Sequence, residues 1–162
     1  MISPQEMGQI PFLQELGGSY AEQIARLAQP KEYAAGAVIF RQGQDAPFVS
    51  FVLAGEVGLD VPVSGHEVAE VHRVGPGELL GWSPMLGMRA MTATARAATP
   101  VRLAVIDADE VVRMCEGDPR FGTAFHRQVA LVLASRLDDT RRELSHHLPR
   151  RSLPGHPAQG SD

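Results

Sequence analysis

Between Gly36 and Asp107 the chain is a succession of short, β-branched and aromatic runs cut by glycine and proline, and no helical period survives in it. The runs are AVIF (37–40), FVSFVL (48–53), EVGLDVPV (56–63) and EVAEVHRV (67–74), separated by RQGQD, AG and SGH. Each separator favours a turn. A further pair of strands is read in TATARA (92–97) and PVRLAVID (100–107), with Thr99-Pro100 between them. Short strands at this spacing predict a barrel, roll or jelly roll.

Helical patterns flank the β region. A short piece around Phe12 to Leu16 ends at Gly17-Gly18. Ser19 with Glu22 three residues later predicts a capping box, and Ala21, Ile24, Ala25, Leu27 and Ala28 give an apolar face that Pro30 ends. After Ile106, Asp107 is expected to cap a short helix through Cys115. Asp118-Pro119 opens a longer one, because an acid at the cap and proline at the first helical position both suit a helix start. Phe121, Phe125, Val129, Val132, Leu133, Leu137, Leu144 and Leu148 recur along it at helical spacing, and Pro149 ends the stripe. Residues 1–148 therefore read as one domain and 149–162, rich in Gly, Pro and Ser, as a disordered tail.

The net charge of −4 gives no basic excess of the kind that displaces counterions from phosphates, so direct DNA binding is not expected. The single cysteine, Cys115, excludes an intrachain disulfide and a cysteine-based metal cluster. With no basic leader and no long apolar span, a cytoplasmic chain without membrane insertion is expected. His66 and His72 share a face but lack the His-x-His spacing of a cupin-type metal site, so no metal is expected. No spacing pairs a nucleophile with a base, and the chain is expected not to be an enzyme.

The segment from Gly75 to Ala97, GPGELLGWSPMLGMRAMTATARA, together with FRQGQDAPFVSFVLAGEVGL upstream and the helical pair downstream, resembles the cyclic nucleotide-binding domain. This is the sensor half of Crp/Fnr-type regulators and of cyclic-nucleotide-dependent kinase regulatory subunits. The resemblance runs from about Pro11 to Leu148. It implies a mainly β fold with flanking helices: a double-stranded β-helix, or jelly-roll-like β-roll, with helices before it and a short and then a long helix after it. It also implies a cyclic mononucleotide ligand, cAMP or cGMP, and no other cofactor. In Crp/Fnr relatives a helix-turn-helix follows the long helix, whereas here the chain is expected to end without one.

The roles implied for Gly77, Glu78 and Leu79 suit their chemistry. Glycine lets backbone approach a ligand, and a carboxylate accepts from a ribose hydroxyl. Leu79 to Met85 is expected to form a short helix whose first N–H groups face a phosphate. The family's phosphate partner is an arginine, which offers charge-assisted, bidentate bonds. Anchoring the pattern on the strand Ala93 to Ala97 puts Met91 at that arginine's position. Arg89 comes two residues early, after an enlarged loop from Ser83 to Met88. Losing such a bond removes roughly 1.5–3 kcal/mol.

The expected ligand-binding set is Gly77, Glu78, Leu79, Arg89, Thr92, Thr94, Arg136 and Thr140, with Arg136, Thr140 and Arg141 placed near a bound base by the resemblance alone. For Glu78 the competing reading is a carboxylate that caps its own turn, and for Arg89 an exposed loop residue. Arg96 reads as a surface ion-pair residue and Trp82 as core. The long helix, through Leu133, Leu137, Thr140, Leu144 and Leu148, is expected to pair with its twin in a homodimer. The functional expectation is a sensor acting in signal transduction through a protein partner. The alternatives are a roll that binds no nucleotide and serves dimerisation or docking, and a remnant of a Crp/Fnr transcription regulator.

Overall fold

The computed structural model of the chain describes residues 1–155. Eight strands form two four-stranded antiparallel sheets that face each other as a β-roll. One sheet has the order β1 (Gln29–Tyr33), β8 (Val101–Asp107), β3 (Phe48–Ala54), β6 (Leu79–Leu80). The other has the order β2 (Val38–Phe40), β7 (Thr94–Ala97), β4 (Val57–Ser64), β5 (Glu67–Val74). Helices α1 (Pro4–Gly8), α2 (Pro11–Leu16) and α3 (Gly18–Leu27) precede the roll, and α4 (Ala108–Gly117) and α5 (Pro119–Ser145) follow it. The expected fold class is the observed one.

The apolar runs of β3 and β8 are nearly continuous because both faces of these strands are buried. Val49 and Phe51 of β3, with Ala104 and Ile106 of β8, point to the helices, where they meet Phe12, Leu13, Ile24, Phe121 and Phe125. Val52, Val101 and Leu103 point the other way, between the sheets, against Val57, Val74, Leu80, Met91, Ala95 and Ala97. The period of two thus divides one pair of strands between two cores. Trp82 is half-buried against the helix-side core.

Several local details differ from the sequence reading. The polar stretch Gln29–Tyr33 is an edge strand paired with β8, and Pro30 sits within it, where an edge tolerates a missing donor. Helix α3 starts one residue before Ser19, at Gly18, with Gly17 (φ +92°) as its cap and no side-chain capping bond. The capping box forms instead at Ser3 and Glu6: Glu6 N donates to Ser3 Oγ (3.1 Å) and Ser3 N donates to Glu6 Oε2 (2.8 Å). The caps expected of Asp107 and Asp118 are present. Helix α5 ends at Ser145, before Leu148. Leu79 to Met85 is not one helix. Leu79 and Leu80 pair with β3, and only Ser83–Leu86 turns, as a single 3₁₀ turn. Residues 149–155 are exposed, and the rest of the expected tail, 156–162, lies outside the described residues.

Candidate functional site

The turn Gly75-Pro76-Gly77-Glu78 leads from β5 into β6. Glu78 N donates to Gly75 O (3.1 Å), closing the turn, and Gly75 N donates to the Glu78 carboxylate (2.6 Å). Gly77 has φ +84°, a conformation that favours glycine, and its N–H donates to Val52 O (2.7 Å). The turn is thereby fixed to β3, and Gly77 approaches α2 so closely that a Cβ there would lie 3.3 Å from Pro11 Cδ.

Facing this turn is the rear half of α5. Between them lies a cleft of about 310 Å³, walled by Pro11 and Phe12 of α2, His72 of β5, the Gly77–Leu79 backbone, and Val132 and Arg136 of α5. That volume is at the lower end of the roughly 300–1,000 Å³ typical of small-molecule sites. Three carboxylates, Glu15, Glu78 and Asp139, also line it.

The cation in the cleft comes from the helix. Arg136 donates through Nη2 to the carbonyl oxygen of Leu79, while its Nε is buried without a hydrogen-bond partner among the described residues. Burial lowers its pKa from the ordinary arginine value, and the Glu78 carboxylate pulls the other way. A guanidinium nevertheless keeps its proton in a protein. His72 Nε2 is likewise buried and unpartnered among the described residues. Its pKa is lowered by burial first and by the Arg136 charge second, against the opposing pull of Glu78 and Asp139.

Of the expected ligand-binding residues, the structure gathers Gly77, Glu78, Leu79 and Arg136 into this one cleft. Leu79 contributes its carbonyl, since its side chain is in the helix-side core. Glu78 also makes the turn-capping bond that was its competing reading. The others lie elsewhere. Arg89 is exposed on the loop after the 3₁₀ turn. Thr92 is exposed, and Thr94 Oγ1 accepts from Gln42 N (3.0 Å), joining β7 to the loop after β2. Thr140 is exposed and donates to Arg136 O (2.8 Å) within its own helix, and Arg141 is exposed beside it. Met91 is 3% exposed and lies in the core between the sheets. Arg96 pairs with Asp60 on the outer side of the roll.

Sequence reasoning weighed His72 only as a metal ligand with His66. The available signal was the alternation of β5: His72 is two residues before the buried Val74, so it faces the interior. His66 is exposed in the β4–β5 turn, and no cluster of three metal-ligating side chains occurs among the described residues. Among these residues, too, no helix is long and apolar enough to cross a membrane.

Comparison with known proteins bears on the fold. Residues 30–118 match the family profile described as the cyclic nucleotide-binding domain. A protein of Geobacter metallireducens GS-15 described as cyclic nucleotide-binding superposes with a TM-score of 0.74 at 28% identity, over 85% of this chain and 99% of that one. The catabolite activator protein of Thermus thermophilus shares the fold, with a TM-score of 0.69 at 24% identity over 85% of this chain and 62% of that one. In sequence, a cyclic nucleotide-gated potassium channel of Mesorhizobium japonicum is 27% identical over 123 residues, which is 76% of this chain and 33% of the channel. The chain thus spans about a third of that relative's length. On the profile match and the fold, the chain belongs to the cyclic nucleotide-binding domain family.

Proposed function

We infer that the chain is a sensor that binds a cyclic mononucleotide, cAMP or cGMP, in the cleft between the Gly77–Leu79 turn and α5, and signals occupancy to a protein partner through α5. The observation carrying this reading is the convergence of Glu78 and Arg136 on one cleft from two elements that are joined there by a single Arg136–Leu79 hydrogen bond. A ligand entering between them exchanges that bond for its own, and so favours one position of the helix over another, as a signal requires. The names of the relatives, which include cyclic nucleotide-gated channels, support the ligand class. The chain acts by binding and not by catalysis, as a cytoplasmic homodimer that makes no direct contact with DNA.

Calorimetric titration with cAMP and cGMP tests the reading. Saturable heat with at least one of them is expected, weakened by Glu78→Gln. No heat at millimolar concentrations of both overturns it.

A second reading is favoured by Met91. At the position where the family carries its phosphate-binding arginine, an apolar side chain is packed into the core, and the nearest arginine in sequence, Arg89, faces solvent. On that reading the roll binds no nucleotide and serves dimerisation or docking. The same titration separates the two.

A further inference from the structure

We propose that His126 is a proton-dependent bridge between α5 and the 3₁₀ turn Ser83–Leu86, complete when its ring is charged and broken at the turn when the ring is neutral. The bridge is a property of the chain itself and stands whether or not the cleft takes a nucleotide.

It begins from two acceptors that meet one ring. His126 Nδ1 lies 2.8 Å from Gly122 O, one turn back on α5, and Nε2 lies 3.2 Å from Met85 O in the 3₁₀ turn. A carbonyl oxygen can only accept, and a neutral imidazole carries a single N–H. Only the imidazolium donates to both oxygens. In the neutral ring one nitrogen turns its lone pair on a carbonyl oxygen, and that contact becomes repulsive. The Met85 contact is the one that gives way, because Gly122 O is closer and belongs to the same helix.

Neither carbonyl turns aside easily. The Met85 side chain is 5% exposed and sits in the helix-side core. Gly122 is buried against α4, where a Cβ on it would lie 2.9 Å from Cys115 O. The ring itself is exposed and so exchanges its proton with water.

The titratable groups that share its groove are Glu116 and Cys115 of α4. The Glu116 carboxylate favours the charged ring. The Cys115 thiol, pushed up by burial first and by Glu116 second, stays neutral and offers the ring no charge. On α5 the positions one turn away on the same face are Gly122, Thr123, Val129 and Ala130, none of them charged. Arg127 is next in sequence and projects from a different side of the helix. From Ser83 to Met88 the turn and its exit carry no titratable side chain, and Arg89 beyond them is exposed.

The bridge acts on two elements that flank the cleft. The 3₁₀ turn follows β6, which leads straight out of the Gly77–Glu78 turn, and α5 forms the opposite wall. Arg136 joins the roll to α5 through Leu79 O, and His126 joins them again two to three turns earlier on the helix. The first tie keeps its charge at any pH, whereas the second answers to acidity. Acidification completes it, and a rise in pH through the range of histidine releases the turn.

The test follows the ¹⁵N-labelled chain, without nucleotide, by NMR from about pH 5 to about pH 8, the range in which histidine changes charge. Two-bond proton–nitrogen spectra report the protons on the His126 ring. The amide nitrogen of Leu86 shares a peptide with the Met85 carbonyl and reports the bond to it. The expected result is a ring protonated on both nitrogens in acid and on Nδ1 alone in base, with the Leu86 amide shifting at the same midpoint as the ring. In His126→Ala, an exposed helix position at which alanine is well tolerated, the Leu86 shift is expected to be lost and the amide to rest at its wild-type alkaline position. A neutral ring with its proton on Nε2 would overturn the bridge. So would a ring whose charge does not change over this range, a Leu86 amide that stays put while the ring titrates, or one that titrates equally in His126→Ala. Because no nucleotide is present, failure of the proposed sensor function leaves each of these outcomes readable.

Discussion

At Met91 the side chain is 3% exposed and packs between the sheets in the core that includes Phe40, Leu80 and Ala95. It lies beside Gly81, whose Cβ position is 3.6 Å from the Met91 methyl carbon. Full burial of such a side chain is worth about 1.5–3 kcal/mol. Restoring an arginine there therefore does not restore a clamp. In Met91→Arg the guanidinium enters an apolar core with no acceptor, at a cost of several kcal/mol. A large fall in the melting midpoint is expected, with no gain in nucleotide affinity. An unchanged midpoint together with tighter binding would show that the hollow beside Gly81 admits a charged ligand. Arg136 contrasts with Met91: its charge is retained, half-buried and incompletely bonded, on an element that is otherwise exposed at that level.

Helix α5 has two regimes along its length. Its front half is anchored. Asp118 caps it, accepting from Arg120 N (3.0 Å) and Phe121 N (3.3 Å), and Tyr20 Oη donates to the other oxygen of the same carboxylate (2.9 Å). These bonds hold the Asp118 carboxyl below its usual pKa. Phe125 then stacks edge-on to Phe12 of α2 (5.0 Å between centroids), which in turn meets Phe51 of β3 (5.2 Å). This aromatic chain ties the front of α5 to α2 and the roll. Phe125→Ala is expected to cost about 3–5 kcal/mol in chemical denaturation, since a fully buried ring leaves a cavity that the aligned elements cannot close. A loss below about 1 kcal/mol, the value typical of an arbitrary substitution, would show that the stack does not carry the anchoring. The rear half, from Ala134 onward, is exposed except for Arg136.

For the molecule as a whole, that rear half poses a burial problem. Leu137 and Leu144 are 51% and 53% exposed and lie seven residues apart on one side of α5, with Leu148 (53%) beyond its end. Leu133, grouped with them from the sequence, packs instead against the helix-side core. A seven-residue spacing of leucines suits a seam between two copies of the helix. In the proposed homodimer, Leu137→Glu is expected to convert dimer to monomer in sedimentation velocity while leaving the roll folded. A wild-type chain that sediments as a monomer at tens of micromolar would overturn the dimer.

The roll was legible in the sequence because β periodicity, turn glycines and capping acids are local signals. Each of the runs 37–40, 48–53, 56–63 and 67–74 became a strand, and Asp107 and Asp118 became caps, since these depend on neighbours within a few residues. The edge strand Gln29–Tyr33 escaped notice because its residues are polar and its partners in β8, from Val101 to Val105, lie far along the chain. The site divided along the same line. Gly77 and Glu78 were readable from the turn they make. Arg136 was placed near the ligand by the family resemblance alone, and His72 was not placed there at all, because both depend on where α5 lands against the roll, and packing of the whole core decides that. Sequence by itself fixed the kind of fold and which residues could carry charge. Only the tertiary structure decided which of those charges are withdrawn from water, since desolvation is a property of the surroundings and not of the residue.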